Sequence, residues 1–213
     1  MKSTLFNMVA VLFTITLIAS AGVVAVNMIT EDAIAEANRQ ATVAAVANVL
    51  PAFEKSEMST MTIDDMPINI YTAVDGSGAV VGYAVETMTM SGFSGKVRMM
   101  VGFDAEGTIL NVNVLEKSET PGLGSKMCDE GNVLLASVQG KNPANLKLKV
   151  KKDGGDIDAL TAATISSRAY ADAVARAYEA FKVASGAQES TDGVSGATAT
   201  HEGHDAQEGG DNE

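Results

Sequence analysis

The chain has 213 residues, with 27 acidic against 15 basic side chains, a formal net charge of -12, one cysteine and no tryptophan. That length holds one globular domain plus appendages. The lack of a basic stripe and of stacking aromatics excludes a nucleic-acid surface. Cys128 alone rules out a disulfide framework or a cysteine metal cluster within one chain. The acidic excess is uneven, because no Lys or Arg follows Lys182 while Glu189, Asp192, Glu202, Asp205, Glu208, Asp211 and Glu213 gather there. Much of the charge therefore belongs to a solvated tail.

From Leu5 to Met28 there is no charged residue, and only Asn7 and Asn27 are strongly polar. As a helix this stretch reaches about 36 Å, enough for a hydrocarbon core of about 30 Å. A cleaved leader is the rival reading, with Lys2 as its basic end and Ala19-Ser20-Ala21 as its cut site. Apolar residues continue past that point through Val23, Val24, Ala25 and Val26, which favours an anchor over residues 1–29. Lys2 on one side and Glu31, Asp32 and Glu36 on the other place the N-terminus in the cytoplasm. The expected location is a single pass through the inner membrane, with the domain on the extracytoplasmic side.

The body spans residues 30–184. Glu31 to Leu50 is alanine-rich and stops at Pro51, a helix leaving the membrane. Ile68 to Val74 reads as a strand, followed by the turn Asp75-Gly76-Ser77-Gly78 and a second strand over Ala79 to Met90. Lys96 to Phe103 is a third, Asp104-Ala105-Glu106-Gly107 a hairpin turn, and Thr108 to Glu116 an alternating fourth. Leu146 to Val150 alternates as well and predicts another strand. Ser166 to Ala184 carries an apolar stripe of Ala169, Ala173, Ala177, Tyr178 and Phe181, the strongest helix of the body. Strands first and helices at the ends predict an α+β fold with an antiparallel sheet. Residues 185–213 are rich in Gly, Ser, Asp, Glu and Gln and predict a disordered acidic tail.

One heptapeptide carries the chemistry. Asp158-Ala159-Leu160-Thr161-Ala162-Ala163-Thr164 fits Asp-x-x-(Ser/Thr)-(Gly/Ala)-Ala-Thr, and a second copy runs from Asp192 to Thr198. The pattern resembles the site where flavin transferases join FMN to a threonine through a phosphoester. Thr164 falls at the predicted start of a helix, where unpaired N–H groups and the positive end of the dipole favour a phosphate. Thr164, Ser166 and Ser167 add hydroxyls. The bland reading of Asp158, Thr161 and Thr164 is a turn and a helix cap.

Two further landmarks weigh against that bland reading: Glu119-Thr120-Pro121-Gly122-Leu123-Gly124-Ser125-Lys126 and Ser91-Gly92-Phe93-Ser94-Gly95-Lys96-Val97. Together with the anchor and the threonine motif, in this order, they resemble the FMN-binding domain of the G subunit of the Rnf ion-translocating ferredoxin:NAD oxidoreductase. The resemblance implies FMN esterified to Thr164, a loop of Gly122, Leu123 and Gly124 close to the flavin, and Asp158, Thr161 and Ser166 as parts of the same site. It also implies the other subunits of an Rnf-type complex as partners, a flavin transferase for maturation, and electron relay rather than side-chain catalysis. The family pattern usually has glycine where Ala162 stands, whereas the tail copy has Gly196, so Thr198 is a candidate second attachment point. The alternatives are the C subunit of the sodium-translocating NADH:quinone reductase and a cofactor-free membrane-anchored scaffold.

Overall fold

A computed structural model describes residues 2–186. The tail expected to be disordered therefore lies outside the described residues except for Ser185 and Gly186, and Thr198 lies outside them altogether. The expected α+β fold is present. Helix α1 (Lys2–Val49) leads into five strands: β1 (Lys55–Ile63), β2 (Met66–Val74), β3 (Val80–Gly92), β4 (Gly95–Phe103) and β5 (Ile109–Lys117). They pair antiparallel in the order β1-β2-β3-β4-β5. A short helix α2 (Val133–Val138) and the long α3 (Thr164–Ala184) follow.

The apolar segment and the alanine-rich segment form one unbroken helix, because neither contains a proline or glycine pair that would stop it. Among the described residues α1 is the one helix long and apolar enough to cross a membrane, and its apolar window is fully exposed. Its last turns behave differently. Ala45, Val46, Val49 and Leu50 are buried against Ala73, Ala84 and Met100 on one face of the sheet.

The other face carries the main core. Val97, Met99, Val101 and Phe103 alternate toward α3 and meet Tyr170, Val174, Ala177 and Phe181. Strand β4 is thus covered on both faces. Methionines 99 and 100 fill opposite cores, the ordinary use of such side chains. A polar clasp fixes α3 along β3. The buried Arg176 guanidinium donates to the Met88 carbonyl at 2.8 Å and to Asp172, which also accepts from the Thr89 hydroxyl at 2.7 Å.

Two elements depart from the sequence expectation. Leu146 to Val150 is not a strand, since only Val150 makes an isolated bridge, to Ile157. Its alternation arises because Val150 enters the core while Lys147 and Lys149 face out, and the Lys147 N–H goes to the Asp156 side chain at 2.7 Å instead of to a ladder. Strand β1, in contrast, is not legible in the sequence. It is an edge strand of Ser, Thr, Met and Glu, mostly exposed, with no apolar alternation to reveal it. The signal present is Asp64-Asp65, a two-residue turn with φ of 51° and 59° that sets Ile63 opposite Met66.

The contact between α1 and the sheet depends on Gly102, where an added Cβ would strike the Val49 carbonyl. Gly102→Ala is expected to destabilise the domain by about 1–3 kcal/mol through overpacking against backbone. Thermal unfolding of the full chain in detergent, read as a drop of several degrees in Tm, checks this.

Candidate functional site

Three chain segments that are far apart in sequence meet at one end of the sheet. They are the β3–β4 hairpin around Gly92 to Gly95, the loop after β5 from Glu119 to Gly124, and the start of α3. Between them lies a cleft of about 310 Å³ lined by Phe93, Glu119, Thr120, Leu123, Gly124 and residues Ala162 to Ser166. That volume is at the lower end of small-ligand sites.

The Glu119 carboxylate joins all three. Glu119 is buried; one oxygen accepts the Phe93 N–H at 2.8 Å and the other accepts the Ser166 hydroxyl at 2.6 Å. Both landmark motifs place a glycine against it. A Cβ on Gly92 would collide with the Gly95 carbonyl and with Glu119, and one on Gly124 would collide with Ser166 and Glu119. The two glycines thus leave room for one charged group. Gly122 has a different purpose. Its φ of 76° makes the turn, its N–H donates to the Ser125 hydroxyl at 2.9 Å, and nothing crowds its Cβ position.

Thr164 is the first residue of α3, two positions ahead of the predicted start. No side chain caps this helix. The first intrahelical bond runs from the Ser167 N–H to the Ala163 carbonyl at 3.0 Å, so the N–H groups of Thr164, Ile165 and Ser166 precede it. Thr164 is half-buried, lines the cleft, and its hydroxyl makes no hydrogen bond among the described residues. Its neighbours are committed elsewhere. Ser166 donates to Glu119, while the Ser167 hydroxyl donates to the Ala163 carbonyl and accepts the Leu160 N–H, both at 2.9 Å. Ser167 therefore ties the motif loop to the helix.

That loop is strained at one residue. Ala162 has φ of 59°, in the left-handed region that glycine enters freely and alanine does not.

The sequence-derived site residues divide into two sets. Thr164, Ser166, Leu123 and Gly124 line the cleft, whereas Gly122, Asp158 and Thr161 do not. Asp158 is half-exposed, paired with Lys151 at 2.6 Å, and its N–H donates to the Ser137 hydroxyl at 2.9 Å. The ammonium of Lys151 holds its carboxyl below the usual range, with Ser137 adding to the effect. Thr161 is exposed. Sequence reasoning does not single out Glu119, Phe93 or Ile165, although the first two belong to the quoted landmarks. The available signal is a second glycine in each motif, Gly92 beside the hairpin turn that Gly95 closes and Gly124 beside the turn at Gly122.

The donor set suits a phosphate monoester carrying a flat apolar group. An uncapped helix N-terminus and a hydroxyl without a partner stand at the polar end, and Phe93, Leu123 and Ile165 form apolar walls.

Substitutions at two positions test this geometry. Glu119→Ala removes the acceptor for the buried Ser166 hydroxyl and the part-buried Phe93 N–H and is expected to cost roughly 1–3 kcal/mol, whereas Glu119→Gln, which can both accept and donate, is expected to recover most of that loss. Ala162→Gly is expected to stabilise the chain by up to about 1 kcal/mol, because the left-handed strain is relieved against a smaller entropic cost. Denaturant titration of each variant reads both.

The family model described as the FMN-binding domain matches residues 92–179, from the hairpin through most of α3. The chain is 35% identical to the G subunit of the ion-translocating oxidoreductase complex of Shewanella amazonensis, over 75% of this chain and 80% of that one. It is 32% identical to the G subunit of the same kind of complex in Shewanella baltica, over 83% and 89%. To the G subunit of the Na(+)-translocating ferredoxin:NAD(+) oxidoreductase complex of Acetobacterium woodii it is 29% identical, over 77% and 85%. The crystal structure of Shewanella oneidensis NqrC is a remote likeness, at 21% identity and a TM-score of 0.37 over 62% of this chain and 65% of that one. With the cleft framed by the residues that this family model covers, the chain belongs to the family of G subunits of ion-translocating oxidoreductase complexes.

Proposed function

We propose that the chain is the FMN-carrying subunit of an Rnf-type membrane complex that couples electron transfer between ferredoxin and NAD to ion translocation, with FMN joined through its phosphate to Thr164. The observation that supports the attachment point is a hydroxyl without a partner, set in a cleft at an uncapped helix N-terminus. Residues 1–29 would be the anchor, 30–184 the flavin domain on the extracytoplasmic side, and 185–213 a tail.

FMN, when bound, supplies one- and two-electron redox chemistry. The chain's own residues would attach, orient and shield. The N–H groups of Thr164, Ile165 and Ser166 suit phosphate oxygens and need no charged side chain to do so. Glu119 keeps the hairpin and the Gly122-Leu123-Gly124 loop at fixed positions around the helix start. Phe93, Leu123 and Ile165 would exclude water from an apolar ring system. An ester tether keeps the carrier at a high effective concentration beside its redox partners, where a dissociable flavin would be diluted.

Asp158 and Thr161 face away from the cleft, so we assign them to a different step. They form the outward part of the motif that a flavin transferase would read during maturation. The tail copy ending at Thr198 offers the same short pattern.

The test is intact mass and in-gel flavin fluorescence after denaturation, on protein from its native membranes. Wild-type chain is expected to fluoresce. Thr164→Ala is expected to lose one flavin's mass with its unfolding midpoint nearly unchanged, and any flavin left on that variant would sit at Thr198. Equal flavin mass in wild type and Thr164→Ala would move the attachment elsewhere, and a dark wild-type band would favour a cofactor-free scaffold.

A further inference from the structure

Positive charge in this acidic chain is bunched in one loop. Lys141, Lys147, Lys149, Lys151 and Lys152 are all exposed there. Elsewhere Lys55, Lys96 and Lys182 each stand within 3.0 Å of a glutamate oxygen. In the loop Lys151 pairs with Asp158 at 2.6 Å, whereas Lys147, Lys149 and Lys152 form no salt bridge among the described residues.

The backbone braces the positions that carry these unpaired charges. The Asp156 N–H donates to the Lys147 carbonyl at 3.0 Å and the Ile157 N–H to the Lys149 carbonyl at 3.0 Å, while the Lys151 N–H donates to the Ile157 carbonyl at 2.8 Å. Val150 and Ile157 are buried, and Gly155 lies so close to Lys149 that a Cβ would strike its carbonyl. A cationic surface on a braced loop loses little backbone entropy when it takes up an anionic segment.

The complementary charge lies further along the same chain. Glu202, Asp205, Glu208, Asp211 and Glu213 follow one another closely, and no Lys or Arg occurs after Lys182. The distance is within reach. Arg168, near the start of α3, pairs with Asp153 at 2.7 Å, which sets the loop beside that end of the helix. From Arg168 to Ala184 the helix covers about 24 Å. Gly186, with φ of 73°, closes the helix, and its N–H donates to the Val183 carbonyl. At no more than about 3.3 Å per residue, the stretch from Gly186 to Glu202 can span up to about 53 Å, over twice the distance back along α3.

We propose that the acidic segment 202–213 docks on the basic loop of its own chain and neutralises Lys147, Lys149 and Lys152. Being tethered, it meets the loop at an effective concentration on the order of millimolar. An acidic partner protein would also suit these lysines, but it would have to displace a segment that cannot diffuse away. Docked there, the segment covers the side of the motif on which Asp158 meets Lys151. The inference goes beyond the flavin assignment and stands without it.

Full-length chain in a non-ionic detergent is labelled briefly with an amine-reactive ester, and peptide mass spectrometry reads the rate at each lysine. The comparison is a full-length variant carrying Glu202→Gln, Asp205→Asn, Glu208→Gln, Asp211→Asn and Glu213→Gln. At low salt Lys147, Lys149 and Lys152 are expected to react about threefold or more slowly in the unsubstituted chain. The exposed Lys126 is expected to react alike in both. The difference is expected to vanish at about 0.5 M salt, where surface charges are screened. In an equal mixture of light and heavy isotope-labelled protein, carbodiimide is expected to join the segment to the loop within single chains. Equal labelling of the two proteins at low salt would overturn the proposal. So would cross-links between light and heavy chains, which would give the loop to a second copy, or protection that arises only in the assembled complex, which would give it to a partner protein.

Discussion

One buried carboxylate holds the working end of this domain together. Glu119 takes a backbone N–H from the β3–β4 hairpin and a hydroxyl from the first turn of α3, and it stands in the loop that forms the third wall. A buried acceptor of this kind is costly unless its bonds are made, so the three segments are held in one arrangement or the group is left unpaired. Gly92 and Gly124 make room for it without needing a left-handed angle, since a side chain at Gly92 would strike the Gly95 carbonyl and the carboxylate, and one at Gly124 would strike Ser166 and the carboxylate.

This arrangement frees the Thr164 hydroxyl by engaging the others. Ser166 is spent on Glu119 and Ser167 on the motif loop, so the first turn of α3 presents one hydroxyl and an uncapped set of N–H groups to the cleft. A helix start is ordinarily capped by a side chain, and its absence here leaves the positive end of the dipole for an anion. The strain at Ala162 belongs to the same geometry, since the loop must turn through a left-handed residue to bring Thr164 into the cleft.

Sheet and membrane helix are coupled through a second close approach. Gly102 lets the backbone of α1 lie directly on β4, and the strand is then buried on both faces. One unbroken helix therefore passes from the apolar segment into the core of the domain, without a flexible linker between them.

The family resemblance grouped Thr164 with the Leu123-Gly124 loop, and periodicity made most of the architecture legible: the apolar run, four of the five strands and the α3 stripe. These are local signals, set by side-chain alternation and by the residues that tolerate turns. The sequence misled where alternation had another cause, as at Leu146 to Val150, and it was silent at β1, an edge strand with no face to bury. Only the tertiary structure decided which motif residues face the cleft and which face outward. Asp158 and Thr161 sit a few positions from Thr164 in the chain, yet one is turned toward Lys151 and the other into solvent. The role of Glu119 was likewise hidden, because a bond between residues 47 positions apart leaves no trace in either local pattern. Long-range pairing of polar groups is a property of the packed chain, and its residues alone announce only a second glycine in each motif.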